Sequence, residues 1–483
     1  MGTRPAIDAA PEPRYTGLWA ARPRGAPRPV RPMTEPTSPQ ASRRSRLLKA
    51  FSWATAGHGL SQAIRLASSI VLTRLLVPEV YGLMELVWVF NTGINLLSDV
   101  GIETCIVHSR RGDEPRFLNT AWTMQVVRGG LLFFASLIGA YPMAVFFDQP
   151  QLTSLIPAVG LGAVLTGFAA TSIQTERRRL NLGAVIRLEL VGQVASVVTQ
   201  VVVALVWPTV WVFVFGFWVT TVIRLVGSFR YLDGISHRFE WDVTAIREIY
   251  EYGRWIFGST AIHYVASSGD RLILARLLDG LSVLGVYGIA MRLQSAFLQL
   301  HGRLTTAVVF PALSEKARDF DRDDPKRAPA LSRMYYKSRL GLDAVFITGA
   351  GGLVAVAIPL VGWIYDEDYA GAGWILQIVA LQIVTAAMLR PPENLLTAVG
   401  HTKYGFFRSL SRGAWTVTAL PLGWWIAGFP GLVWAVALID IPAAFVIWPA
   451  MIRHGFFDGL RELASLGFFG VGWAVGTGLL AIF

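Results

Sequence analysis

Charge is what this chain has least of. Only 16% of its 483 residues are charged against 53% hydrophobic, and the 32 Asp and Glu are outnumbered by 43 Lys and Arg. A water-soluble domain carries about a quarter of its residues charged, so an ordinary solvated surface is excluded. Cysteine is down to Cys105, inside an apolar run. That excludes an intramolecular disulfide and a cysteine metal cluster, and leaves a small buried apolar side chain as the reading. No Walker A sequence occurs, so direct ATP hydrolysis is not expected.

Apolar length is what the chain has in abundance. Runs of roughly twenty residues recur almost without pause, each sufficient to cross a hydrocarbon core of about 30 Å as a helix. Helices also satisfy their own backbone there. The predicted fold is an all-α polytopic membrane protein of about 12–14 transmembrane helices, with thirteen spans read at 50–74, 82–107, 118–147, 152–174, 183–206, 210–230, 253–276, 284–311, 340–364, 371–396, 404–427, 430–452 and 463–483. Residues 1–49 are rich in Pro and Arg without apolar periodicity. They read as a disordered basic tail rather than a cleavable signal peptide, with Met33 as an alternative start.

The net charge of +11 does not point to nucleic acid, because of where it lies. Arg43, Arg44, Arg46 and Lys49 precede the first span, Arg110, Arg111 and Arg116 follow the second, Arg177 to Arg179 the fourth, and Lys316 to Arg333 crowd the loop after the eighth. The intervening loops FFDQPQ, WPTVW, YDEDYAGAG and AGFPG carry no Lys or Arg. Positive loops stay inside. The expected location is the cytoplasmic (inner) membrane, multi-pass, with the N-terminus cytoplasmic.

One pattern occurs twice: LTRLLVPEVYG at 72–82 and LARLLDGLSVLGVYG at 274–288. Both copies end one span and begin the next, six spans apart, so the repeat unit crosses an even number of times. Two six-helix lobes should then be related by a pseudo-two-fold axis along the membrane normal, a layout suited to rocking about a central cavity. The expected divisions are the tail 1–49, an N-terminal lobe 50–231, a cytoplasmic amphipathic linker helix 232–252, a C-terminal lobe 253–453 and an additional helix 454–483. The linker assignment rests on Val243, Ile246, Ile249, Tyr250 and Gly253 at helical spacing.

Polar residues stripe several spans. His58, Ser61, Gln62, Arg65 and Ser69 share one side of the first, and Glu85, Thr92, Asn95 and Asp99 one side of the second. Glu189, Gln193, Ser196 and Gln200 mark the fifth, His263, Ser267 and Asp270 the seventh, and Arg292, Ser295, Gln299, Arg303 and Thr306 the eighth. A charge near the bilayer centre costs roughly 2.5–3.5 kcal/mol, so these stripes should face a wet interior or each other. Arginine suits phosphate, and Gln, Ser, Thr and Asn suit sugar hydroxyls. The candidate substrate contacts are Arg65, Arg128, Arg292, Arg303, Gln62 and Gln299, and the candidate ion-coupling carboxylates are Asp99, Glu189 and Asp270.

The repeated stretches, GDRLILARLLDGLSVLGVYGIAMRL at 269–293 and VVFPALSE at 308–315 resemble the Wzx-type oligosaccharide flippases, the polysaccharide transporter branch of the MOP superfamily. The resemblance implies transfer of a polyprenyl-pyrophosphate-linked oligosaccharide between leaflets for capsule, exopolysaccharide or O-antigen assembly. It also implies a cationic cavity between two six-helix lobes, commonly with fourteen helices where thirteen are read here. Partners would be the lipid-linked cargo, membrane lipids, and the polymerase and export machinery. Related lipid II flippases carry an Arg-Asp pair in the first helix, where Ser68 and Ser69 stand here. Related multidrug antiporters use membrane carboxylates, which Asp99, Glu189 and Asp270 keep open, but the arginine stripes argue against a cationic drug. An enzyme of the membrane glycosyltransferase or polymerase type is the reading from another class. Its support is two short-loop DxD patterns, Asp321 to Asp323 and Asp366 to Asp368, with no nucleotide-binding domain beside them. The expectation is a transporter, not an enzyme, with neither cofactor nor metal.

Overall fold

A computed structural model describes residues 39–278, 280–306, 313 and 327–481. Two compact units divide the chain, 1–47 and 48–483, and the fold below is that of the second apart from the opening turns of the first helix. Among the described residues the elements are helical throughout. The first half of the chain forms α1 (Pro39–Thr73), α2 (Pro78–Leu97), α3 (Ile102–His108), α4 (Pro115–Phe146), α5 (Leu152–Gly167), α6 (Ser172–Arg178), α7 (Leu182–Val206) and α8 (Trp211–Arg230). The second half forms α9 (Val243–Leu277), α10 (Leu281–Leu304), α11 (Arg327–Ile364), α12 (Ala372–Val379), α13 (Leu381–Ala398), α14 (Lys403–Ala437), α15 (Ile441–Arg453) and α16 (Gly459–Leu480).

Nine helical stretches among the described residues are long and apolar enough to span a membrane, and α5 with α6, bent by 62°, make a tenth. One stretch, 403–453, is a hairpin. Gly428 sits at φ 63°, ψ −143°, a left-handed turn that glycine adopts without strain, and a Cβ on Gly423 would stand 2.5 Å from the Gly431 carbonyl oxygen. With the hairpin counted as two crossings this gives up to eleven, and α1 and α9, which cover the predicted spans 50–74 and 253–276, are helical but fall short of the same length-and-hydropathy criterion.

Three segments differ from expectation. The second predicted span does not run unbroken over 82–107: it breaks after Leu97, where the Asp99 carboxylate accepts from the Gly101 N–H at 2.9 Å and Gly101 takes φ 67°. The fourth bends after Gly167. The 232–252 segment is not a separate helix: residues 232–242 lie extended, and α9 starts only at Val243, capped by the Asp242 side chain. Its extended part is a strap across the start of α4. The Glu240 and Asp242 N–H groups donate to the Thr123 and Thr120 hydroxyls, and Arg238 N–H to Asn119 Oδ1. Such side-chain acceptors give an extended backbone the partners a helix would otherwise supply. His237 stacks on Trp122 at 5.3 Å, and burial pushes its imidazole down to about 4. Hydrogen bonds from Thr244 and from the Arg111 guanidinium hold Asp242 well below the usual carboxylate range.

The repeated stretches meet each other. A Cβ on Gly82 would lie 2.0 Å from the Leu281 carbonyl oxygen, and one on Gly285 2.0 Å from that of Pro78, so α2 and α10 cross backbone to backbone. Close crossings through small residues are how helices associate in lipid, where apolar side chains gain nothing by leaving the hydrocarbon. Tyr81 and Tyr287, the paired tyrosines of the repeat, are both fully buried at this crossing.

Candidate substrate cavity

The basic loops gather at one end of the bundle, and among the described residues the loops at the opposite end carry a single arginine, Arg74, between α1 and α2. At the opposite end the lobes are sealed. The Tyr369 hydroxyl donates to the Leu76 carbonyl at 2.6 Å, Ser69 and Tyr365 hydroxyls stand 3.4 Å apart, and the Tyr81 and Tyr369 rings meet edge to face at 5.7 Å. Just below lies a four-charge cluster. Glu85 pairs with Arg292 at 2.6 Å and with Arg271 at 3.3 Å. Asp270 accepts from the Tyr287 hydroxyl at 2.5 Å and lies 3.9 Å from Arg271. Arg292 also covers the Tyr81 ring at 5.0 Å. Two arginines against two carboxylates are internally neutral, which is what a low-dielectric site requires.

Toward the basic end a polar cavity of about 340 Å³ opens between α1, α7 and α10, lined by His58, Ser61, Arg65, Arg177, Glu189, Gln193 and Arg303. Three arginines against one glutamate leave it electropositive. Its walls are tied by hydrogen bonds: Ser61 Oγ donates to Gln193 Oε1 at 2.7 Å, and Gln193 Nε2 to the Ser61 carbonyl at 2.8 Å. Gln62 Nε2 reaches Gln299 Oε1 at 3.4 Å across the lobes, while Arg65 Nε donates to Gln62 Oε1 at 3.0 Å. Glu189 is held by Arg177 at 3.0 Å.

Five of the nine candidate residues thus come together here: Arg65, Arg303 and Glu189 in the lining, Gln62 and Gln299 beside it. The other four do not. Arg292 and Asp270 belong to the four-charge cluster. Arg128 and Asp99 line a separate cavity of about 360 Å³ inside the first lobe, where Arg128 caps the end of α2 by donating to the Ser98 and Asn95 carbonyls at 3.0 and 2.7 Å. The His263 side chain, Asp321 to Asp323 and, Leu313 apart, VVFPALSE lie outside the described residues. Asp366 caps a short 3-10 turn by accepting from Glu367 N–H.

Sequence reasoning missed the second lobe's charges. A cavity of about 420 Å³ there is lined by Arg390, Glu393, Asn394, Arg408, Ser409 and Arg412. Asp440 is fully buried beneath it, 3.2 Å from Arg408 and 3.5 Å from Arg412. The signal was a lone acid, Asp440, in an otherwise apolar run, which demands a buried cation on a neighbouring helix.

The long apolar helices, the tight crossing of α2 and α10, and a cationic cavity walled by α1, α6 and α7 with Arg303 of α10 at its edge make a membrane-spanning helical bundle. Solved structures agree on the fold: the chain aligns with the lipid II flippase MurJ in an inward closed conformation (TM-score 0.65, 11% identity, 88% of this chain and 98% of that one). It also aligns with an inward-facing MATE-family multidrug resistance transporter of the MOP superfamily (TM-score 0.58, 11% identity, 82% and 94%). Residues 71–328, over half of the chain, match the polysaccharide biosynthesis protein family, and the chain belongs to that family. Relatives include the lipopolysaccharide biosynthesis protein WzxC of Escherichia coli K12, 21% identical over 85% of this chain and 82% of its own length. The amylovoran biosynthesis protein AmsL of Erwinia amylovora is 25% identical over 61% and 74%. The teichuronic acid biosynthesis protein TuaB of Bacillus subtilis is 17% identical over 65% and 63%.

Proposed function

We propose that this protein moves a polyprenyl-pyrophosphate-linked oligosaccharide across the cytoplasmic membrane by alternating access, for assembly of a surface polysaccharide. The observation that carries the reading is the cavity between α1, α7 and α10, where Arg65, Arg177 and Arg303 face amide and hydroxyl groups while the opposite end of the lobes is shut. Guanidinium groups bind a pyrophosphate through paired charge-assisted hydrogen bonds. Ser61, Gln62, Gln193 and Gln299 complement sugar hydroxyls without demanding one sugar. Membership of a polysaccharide biosynthesis family and the transporter fold both support transport rather than catalysis.

In this reading the basic end is cytoplasmic, because Arg- and Lys-rich loops resist translocation, and the conformation described is open inward. Residues 50–231 and 253–453 act as the two rocking lobes, with 454–483 as an added helix. Arg65 and Arg303 are the anion contacts, Gln62 and Gln299 close over the head group, and Glu189 is the one coupling carboxylate in reach of the cargo. The lipid tail stays in the bilayer. Arg128, Arg292, Asp99 and Asp270 hold the lobes in shape.

Depletion of the protein from producing cells tests this directly. The expected result is a lipid-linked oligosaccharide that accumulates protected from an outer-face glycosidase, with loss of surface polysaccharide. Unchanged intermediates and intact polysaccharide would reject the role.

A further inference from the structure

Helix α11 is too long for a bilayer. Its 38 residues extend roughly 57 Å at 1.5 Å per residue, against a hydrocarbon core of about 30 Å. A span of about 25 residues counted back from Ile364 ends at Leu340, which leaves Lys337 about 5 Å and Arg333 about 10 Å beyond the hydrocarbon, at headgroup level. Arg461, in the first turn of α16 (Gly459–Leu480), lines one groove with Arg333 and Lys337 and so stands at the same level.

Between the two helices lies a groove of about 370 Å³, with Arg333, Lys337 and Arg461 on its rim and Leu340 and Phe468 on its walls. Among the described residues three acids lie nearby, each in an ion pair. Asp343 and Glu462, both buried, are each held by Arg339 at 2.7 Å, and Asp458 by Arg461 at 3.1 Å. The groove is preformed, because deeper in the membrane the helices touch backbone to backbone: a Cβ on Gly351 would meet the Phe469 carbonyl at 2.2 Å, and one on Gly472 that of Thr348 at 2.0 Å.

We infer that this groove binds one anionic phospholipid of the bilayer, its phosphodiester against Arg333, Lys337 and Arg461 and an acyl chain along Leu340 and Phe468. Charge and depth select this occupant. With Arg339 and the two acids it holds counted in, four cations face three carboxylates, and the net charge of +1 is carried on the rim by Arg333 and Lys337, where it repels the ammonium group of a zwitterionic lipid and attracts a net negative head group. Phe468 lies seven residues, about 10 Å, below Arg461, at a depth that acyl chains fill and a polar protein partner does not reach. The site is separate from the cavity between α1, α7 and α10 and does not rest on the transport reading.

Native mass spectrometry of the purified full-length protein, offered phosphatidylglycerol or phosphatidylcholine, tests it. The parent should retain phosphatidylglycerol roughly tenfold better, and Arg333→Gln/Lys337→Gln/Arg461→Gln should abolish that preference. The equally charged control Arg116→Gln/Arg238→Gln/Arg247→Gln, at exposed arginines of the same end, should keep it. Leu340→Trp, which fills the wall and leaves the cations, should weaken retention as well. A parent that does not discriminate, a groove variant that still does, or a control that loses retention equally would overturn the site.

Discussion

At the scale of the residue, the four-charge cluster makes a prediction opposite to that of the cavity. Glu85 has a side chain about one-tenth exposed and faces two arginines. Glu85→Gln removes one partner and leaves its cations uncompensated in low dielectric, which costs about 2–3 kcal/mol of resistance to denaturant in detergent. Adding Arg292→Met should recover part of the loss, so the double variant should lie well short of the summed singles in a denaturant titration; additive losses would show that the pair does not couple. Arg303→Gln, by contrast, relieves an electropositive cavity of one cation. Its unfolding midpoint should stay near the parent's while oligosaccharide export falls at least tenfold, measured as surface polysaccharide per protein inserted. Full export from both Arg303→Gln and Arg65→Gln would remove the cavity from the mechanism. The sequence marked both sets equally as polar residues on apolar helices. What separates them is the partner: Glu85 and Arg292 are 207 residues apart, and no periodicity within one helix reveals which distant charge will neutralise it.

At the scale of the element, long apolar runs were legible because each crosses the membrane on its own, whereas breaks and straps depend on a few local hydrogen bonds. The kink at Gly101 needs Asp99 two residues earlier, and the strap 232–242 needs acceptors on α4 more than a hundred residues away. The helical spacing from Val243 onward falls on the first turns of α9, where Ala245 and Ile249 are buried and Val243 and Tyr250 are exposed. The strap carries a pH prediction. His237 is held neutral by burial, with its folded value about 4 against an ordinary 6.5. Below pH 6.5 the undocked strap takes up the proton more readily than the docked one, so docking should weaken progressively between pH 6.5 and about 4. Asp242 acts the same way at a lower pH, because a depressed carboxylate loses its contribution only as acid reaches its folded value. A carbon-13 histidine titration of labelled protein should show His237 unprotonated at pH 5.5, and a midpoint near 6.5 would refute its burial. The crossing of α2 and α10 predicts more simply. Gly82→Leu should force the helices apart at the Leu281 carbonyl and lower the thermal midpoint by several degrees, while Gly130→Leu, where nothing lies within 4 Å, should not.

At the scale of the whole molecule, the proposed transport cycle draws on the repeat for both the seal and its release. Duplicated Tyr-Gly stretches bring α2 and α10 together, and in the proposed cycle a crossing made of glycine and carbonyl contacts would pivot without unpacking a core of interlocked side chains. Around that pivot the polar seal is thin: Tyr369 to Leu76, Ser69 to Tyr365 and the rings of Tyr81 and Tyr369. Hydrogen bonds of this kind contribute about 1 kcal/mol each, so the closed end is worth only a few kcal/mol, a gap that cargo binding can span. Rocking therefore predicts that fixing the seal stops transport while leaving the cavity able to bind. The experiment starts from Cys105→Ser, since the lone native cysteine is no more buried than the seal positions Leu76 and Tyr369 and would compete for the reagent. Leu76→Cys with Tyr369→Cys, bridged by a short bifunctional thiol reagent, should abolish export and recover it on reduction, and each single cysteine variant treated alike should keep exporting. Lipid-linked oligosaccharide should still co-purify with the bridged protein, because the cavity toward the basic end is untouched. Export that continues through a bridged seal would mean that the lobes need not part there, and the cargo would have to pass along the outside of the bundle instead.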